Sequence, residues 1–259
     1  MNSDRAVGAQ PTASAHKRFA LASPARRALL RFGLTGTAAL GATAALGAAP
    51  ASAAPKPPAP SSRPRPSTPQ EALRELAAGN RRWRTFRERH PDESPDVRQA
   101  LTSGQHPFAV ILGCIDSRVP PELVFDQGLG DLFVVRSAGE VLDEAVLGSI
   151  AYGPLELGTP LIVVLGHQSC GAVTAAVKAD QTGERLPDHI QYLAEQIAPN
   201  IDHTKEGDAR IVSTIDANVR AVRARLAAEP DLAAMVDAGK LAVVGARYDL
   251  TTQQVNRLV

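Results

Sequence analysis

Phe108-Ala109-Val110-Ile111-Leu112-Gly113-Cys114-Ile115-Asp116-Ser117-Arg118 is the stretch whose reading decides the fold. Residues 108–112 are apolar throughout, with no alternation. A strand with one wet face alternates, whereas a strand covered on both faces does not, and such strands build parallel sheets. Residues 132–135, 161–165 and 241–244 repeat the pattern. Between them lie segments with helical spacing: 144–157, 172–179 and 209–228. This alternation predicts an α/β fold, an open, mostly parallel sheet of four strands with helices on both faces. Residues 253–259 read as a further, antiparallel edge strand, with a terminal helix as the alternative.

Ligands of open α/β sheets gather beyond the carboxyl ends of strands. Cys114 and Asp116 directly follow the first strand, and His167 and Cys170 follow the third. One Cys followed by His-x-x-Cys is a three-ligand zinc set, and three protein ligands leave open the fourth tetrahedral position that catalysis needs. These are the only two cysteines. An even cysteine count in an exported chain favours a disulfide. The neighbours point the other way, because a disulfide has no use for His167 or for Asp116 and Arg118.

Export is read from the amino terminus. Lys17, Arg18, Arg26, Arg27 and Arg31 precede an uncharged run, 32–55, that ends near the A-x-A site Ala51-Ser52-Ala53. Residues 1–53 therefore read as a signal peptide, and Arg26-Arg27 before Ala28-Leu29-Leu30 resembles a twin-arginine signal. The run is too weakly apolar for a membrane anchor, and no cysteine near the cleavage site offers lipid attachment. The expected destination is outside the bacterial cytoplasm: secreted, periplasmic or in the cell envelope. Taking the six Lys/Arg and one Asp of residues 1–53 from the chain's 28 basic and 27 acidic groups leaves 22 and 26, a net of −4. That balance argues against a nucleic-acid partner. Residues 54–66 read as a Pro/Ala-rich disordered linker and 67–259 as the single catalytic domain. The domain opens on a helical arm: Thr68 caps, Pro69 takes the first turn and Glu71 completes a capping box. Trp83 and Phe86 give the arm bulky apolar groups for docking on a partner subunit.

Cys-x-Asp-x-Arg followed by His-x-x-Cys resembles the signature of the β-class carbonic anhydrases. The resemblance extends through Phe125-Asp126-Gln127-Gly128-Leu129-Gly130-Asp131 and Val243-Val244-Gly245-Ala246-Arg247-Tyr248. It implies one Zn2+ per chain on Cys114, His167 and Cys170, and a paired Asp116 and Arg118 beside it. The implied activity is reversible hydration of carbon dioxide to bicarbonate and a proton by hydroxide generated on zinc. A closed state, with Asp116 as fourth ligand, is also implied. Gln105, Phe133 and Tyr152, together with Gly171, match the substrate pocket of the family's open branch, a pocket shared across a dimer. Homodimer or homotetramer is the expected assembly, and the twin-arginine machinery an expected partner. Ile111 stands where a regulated branch carries Trp, so bicarbonate regulation is not expected. Ser137 and Glu140 depart from the usual Arg-Asn-Ala-Gly-Asn, and Glu140 is expected to bring negative charge near the site. His106 is the candidate proton shuttle; His90, His189 and His203 read as surface residues. Alternatives are a carbon disulfide or carbonyl sulfide hydrolase on the same scaffold, and a non-catalytic exported zinc-binding protein.

Overall fold

The computed structural model describes residues 64–259. The signal reading of residues 1–53 and most of the linker lie outside them. Five strands form one sheet in the order β2-β1-β3-β4-β5. They are β1 (Ala109–Gly113), β2 (Leu132–Arg136), β3 (Leu161–His167), β4 (Ala242–Tyr248) and β5 (Val255–Arg257). The first four run parallel and β5 pairs antiparallel with β4, so the edge-strand reading of the C-terminus holds and the helical alternative falls.

The absence of alternation in the strands has its cause in the two layers. Ala109, Ile111, Leu161, Val163 and Val244 face one apolar cluster, with Ala72 and Leu76 of α1 (Pro69–Arg84) and Val124 of α3 (Pro121–Val124). Val110, Leu112, Ile162, Val164 and Val243 face the other, with Ile150 of α4 (Glu144–Leu157), Val219 and Val222 of α7 (Gly207–Ala228), and Leu232 of α8 (Pro230–Asp237). Both faces are dry, so residues 109–112 of β1 and 161–165 of β3 are all apolar. A third cluster, beyond the strand ends, holds Cys114 and Cys170 among residues of α5 (Gly171–Thr182) and α6 (Asp188–Ile197). The short α2 (Pro95–Ala100) leads into β1.

The helical arm is capped as the sequence predicts, with Thr68 Oγ1 accepting from Glu71 N at 3.3 Å. One face of it lies on the chain's own sheet. Buried Asn80 donates to the carbonyls of Val124 (3.1 Å) and Gln253 (3.0 Å) and accepts from Val255 N at 3.0 Å. Trp83 Nε1 donates to the Tyr248 hydroxyl at 3.0 Å. Arg82 pairs with buried Asp126. Phe86 packs on nothing in its own chain and is 78 % exposed there. The end of the supposed linker is also held: Arg65 donates to the carbonyls of His106 (2.8 Å) and Gly130 (2.6 Å) and lies 3.4 Å from the Asp131 carboxylate. Among the described residues, no helix is long and apolar enough to cross a membrane.

Candidate metal centre

Strand ends deliver the donors. Gly113 ends β1 one residue before Cys114, His167 ends β3, and Cys170 immediately precedes α5. Because β1 and β3 are adjacent and parallel, their carboxyl ends open on the same side of the sheet. The ligand atoms of Cys114, His167 and Cys170 all lie within 4.8 Å of one another, and all three residues are buried.

The donor chemistry fits zinc. Both cysteines are free, with their sulfurs 3.9 Å apart. Two thiolates about 2.3 Å from one tetrahedral zinc stand roughly 3.8 Å apart, whereas a disulfide needs about 2.05 Å. His167 Nδ1 sits 2.9 Å from the Gln168 carbonyl, so it is the proton-bearing nitrogen. Nε2 is thereby left as an acceptor, and it is buried without a hydrogen-bond partner. A buried acceptor aimed at two sulfurs is the arrangement a metal satisfies.

The two thiols are pushed in opposite directions. The Cys170 hydrogen bond pushes the Cys114 thiol down to about 4. The same bond and burial raise Cys170 far above the ordinary thiol range. Burial pulls His167 down, but the neighbouring Cys114 sulfur and its charge outweigh that, and the net shift is upward.

Arg118 clasps Asp116 beside this set, with Nε to Oδ1 at 2.9 Å and Nη2 to Oδ2 at 2.7 Å, while its backbone N–H donates to Oδ1 at 2.9 Å. These bonds hold the Asp116 carboxyl well below the usual carboxylate range. Asp116 Oδ2 lies 3.9 Å from His167 Nε2, yet Asp116 is outside the three-residue ligand group. This is the Arg-paired arrangement, not the closed one with Asp116 as a fourth ligand.

Three supports escaped the sequence reading. Arg136 donates to the carbonyls of Cys114 (2.7 Å) and Asp116 (2.6 Å), tying down the ligand loop from β2. Gly139, at φ 65°, donates its N–H to Cys114 Sγ at 3.4 Å. Asn218 of α7 fixes that turn by donating to the Gly139 carbonyl at 2.8 Å, and itself accepts from Asn200 at 2.9 Å. Arg136 and Gly139 sit in a motif that sequence reading had marked; nothing local marks Asn218.

Glu140 stands inside the fold, where burial works against its charge. It is 1 % exposed, and burial, with the Cys114 charge as a second cause, raises its pKa well above the carboxylate range. Burial therefore favours its neutral form over the carboxylate. Its Oε1 has no hydrogen-bond partner.

Gln105, Phe133 and Tyr152 are brought together, but elsewhere. They line a groove of about 570 Å³ along α4, with the Phe133 and Tyr152 rings edge-to-face at 6.2 Å. None of the three metal-donor residues lines it. Gly171 opens α5 beside Cys170, with free space where a Cβ would stand. His106 contributes its backbone carbonyl to Arg65. His90 and His203 are exposed and face Glu93 and Asp180, in keeping with a surface role.

Residues 109–255 match the carbonic anhydrase family. Carbonic anhydrase 2 of Mycobacterium tuberculosis is 45% identical over 186 residues, covering 71% of this chain and 90% of that protein. A carbonic anhydrase of Mycolicibacterium smegmatis is 42% identical over 191 residues, 73% of this chain and 93% of the other. The β-carbonic anhydrase CcaA superposes with a TM-score of 0.57 at 27% identity, over 71% of this chain and 94% of that one. A tetrameric β-carbonic anhydrase of Sordaria macrospora shares the fold, with a TM-score of 0.58 at 22% identity over 72% of this chain and 96% of its own. With its Cys-His-Cys cluster at the ends of two adjacent parallel strands, this chain belongs to the β-class carbonic anhydrase family.

Proposed function

We propose that this chain catalyses the reversible hydration of carbon dioxide to bicarbonate and a proton, with zinc on Cys114, His167 and Cys170. The observation that carries the reading is the orphaned, buried Nε2 of His167 facing two free sulfurs, with an Arg-clasped carboxylate beside it. Zinc there supplies a Lewis acid that brings the pKa of water toward neutrality. Asp116 accepts a hydrogen bond from the attacking water and aims its lone pair at the carbon. Its depressed pKa keeps it ionised, so it orients and does not store the released proton. Arg118 suits the clasp because a guanidinium stays charged and matches both carboxylate oxygens.

The assembly follows from the separation of the two clusters. Gln105, Phe133 and Tyr152 form a mixed apolar and polar groove that the chain's own metal donors do not line. A dimer, or a tetramer built as a dimer of dimers, lets that groove wall the site of a second subunit. Tyr152, 54% exposed in the single chain, is covered by such an interface. The amino-terminal 53 residues act as a twin-arginine export signal that delivers the enzyme beyond the cytoplasm; fusion to a reporter, with Arg26-Arg27 changed to Lys-Lys, tests this by loss of export.

The test of activity is zinc content and stopped-flow carbon dioxide hydration on one purified sample. About one zinc per chain with hydration activity is expected. Asp116→Ala must lose activity with zinc retained; zinc-loaded protein inactive on carbon dioxide but active on carbon disulfide overturns the substrate assignment.

A further inference from the structure

We propose that the end of α1 and the turn after it form a docking surface for anionic phospholipid membranes. Arg81, Arg82, Arg84, Arg87 and Arg89 fall within residues 81–89, with Glu88 the one acid among them. All five line a groove of about 450 Å³. Arg82 is consumed by Glu75 and Asp126. Arg81, Arg84, Arg87 and Arg89 are exposed, and among the described residues their guanidinium groups make no ion pair. The domain outside this segment is net acidic, so the cationic charge is concentrated here and is not a property of the whole surface. Arginines of the last helical turn complement the helix dipole, but Arg87 and Arg89 lie beyond it.

Phe86 is an independent observation. Its φ is +54°, a left-handed conformation that Gly or Asn ordinarily supplies just past a helix. The chain closes the helix there, with Arg87 N donating to the Arg82 carbonyl at 3.0 Å. An aromatic side chain in that conformation is strained, and this one is 78% exposed, so the chain's own core gives no burial in return. The exposed ring is flanked in sequence by the exposed Arg84 and Arg87.

The pairing of an outward aromatic ring with unpaired arginines selects the partner. A soluble polyanion uses the arginines and leaves the ring in water. The headgroup layer of an anionic bilayer takes both, phosphate on the guanidinium groups and the ring at the apolar boundary.

Trp83 is the chain's single tryptophan and lies three residues from Phe86, so its emission reports docking at this surface and not elsewhere. The full chain is mixed with brominated phosphatidylcholine vesicles, with or without phosphatidylglycerol. Bromine should quench Trp83 only when the anionic lipid is present, and added salt should weaken the effect. Arg84→Gln with Arg87→Gln should weaken binding roughly 25-fold, from about fivefold per arginine at an anionic surface. Phe86→Gly should weaken it at least about tenfold while thermal stability holds or rises, because glycine relieves the positive φ. Hydration activity stays unchanged in both variants. Equal quenching by neutral vesicles, equal quenching in the variants, or binding of soluble polyphosphate without vesicle binding overturns the proposal.

Discussion

Arg118 holds Asp116 by both carboxylate oxygens, at 2.9 and 2.7 Å, while Asp116 Oδ2 stands 3.9 Å from His167 Nε2. The clasp keeps a carboxylate close to the metal donors without making it one of them. Lysine cannot reproduce the fork. Arg118→Lys should leave zinc content unchanged and lower kcat by about 10²-fold or more, the usual scale for a lost positioned proton acceptor. Asp116→Asn should do the same. Metal analysis beside stopped-flow kinetics checks both, and full activity in either variant would exclude the orienting role.

Asn218 is expected to tune the metal site without touching it. Its amide holds the Gly139 carbonyl at 2.8 Å, and Gly139 in turn donates to Cys114 Sγ. Asn218→Ala leaves that carbonyl unpaired and lets the turn move. Zinc affinity should fall about 10- to 100-fold, the range seen when outer partners of metal ligands are removed. Competition against a coloured chelator reads the change, and unaltered affinity would show the contact to be architectural only.

Glu140 makes stability depend on pH in a definite direction. Its folded pKa is raised above the ordinary 4.5 by burial, so the unfolded chain releases a proton that the folded chain keeps. Stability is full below the unfolded value and declines as pH rises above it. Glu140→Gln removes this dependence, so its advantage in Tm over the native protein should widen from about pH 5 to about pH 8. Thermal scans at several pH values that run parallel for the two proteins would contradict the buried-acid assignment.

Gly79 is the point of closest approach between α1 and the body of the domain. A Cβ there would lie 1.7 Å from the Phe125 carbonyl oxygen. Backbone on both sides cannot yield cheaply, so Gly79→Ala should destabilise by more than about 3 kcal/mol or release the arm. Release breaks the Trp83–Tyr248 hydrogen bond and shifts tryptophan emission to the red. Native stability and emission in this variant would place the arm elsewhere.

What the sequence determined by itself were features that depend on neighbours along the chain. Unbroken apolar runs announced strands covered on both faces, and Glu144–Leu157 is a helix at the residues its spacing marks. The chemistry of Cys114, Asp116, Arg118, His167 and Cys170 was also legible, because thiolates, imidazole and a carboxylate with its guanidinium are needed in few other combinations. Only the tertiary structure decided the rest. Asn218 reaches Gly139 across 79 residues, and Trp83 reaches Tyr248 across 165. Whether an acid is pushed toward its neutral form, as Glu140 is, or an aromatic ring stays outside its own chain's core, as Phe86 does, depends on which surfaces close over it. Local periodicity carries no information about that closure: it arises when elements distant in sequence pack together, exclude water and leave each polar group to find its partner there.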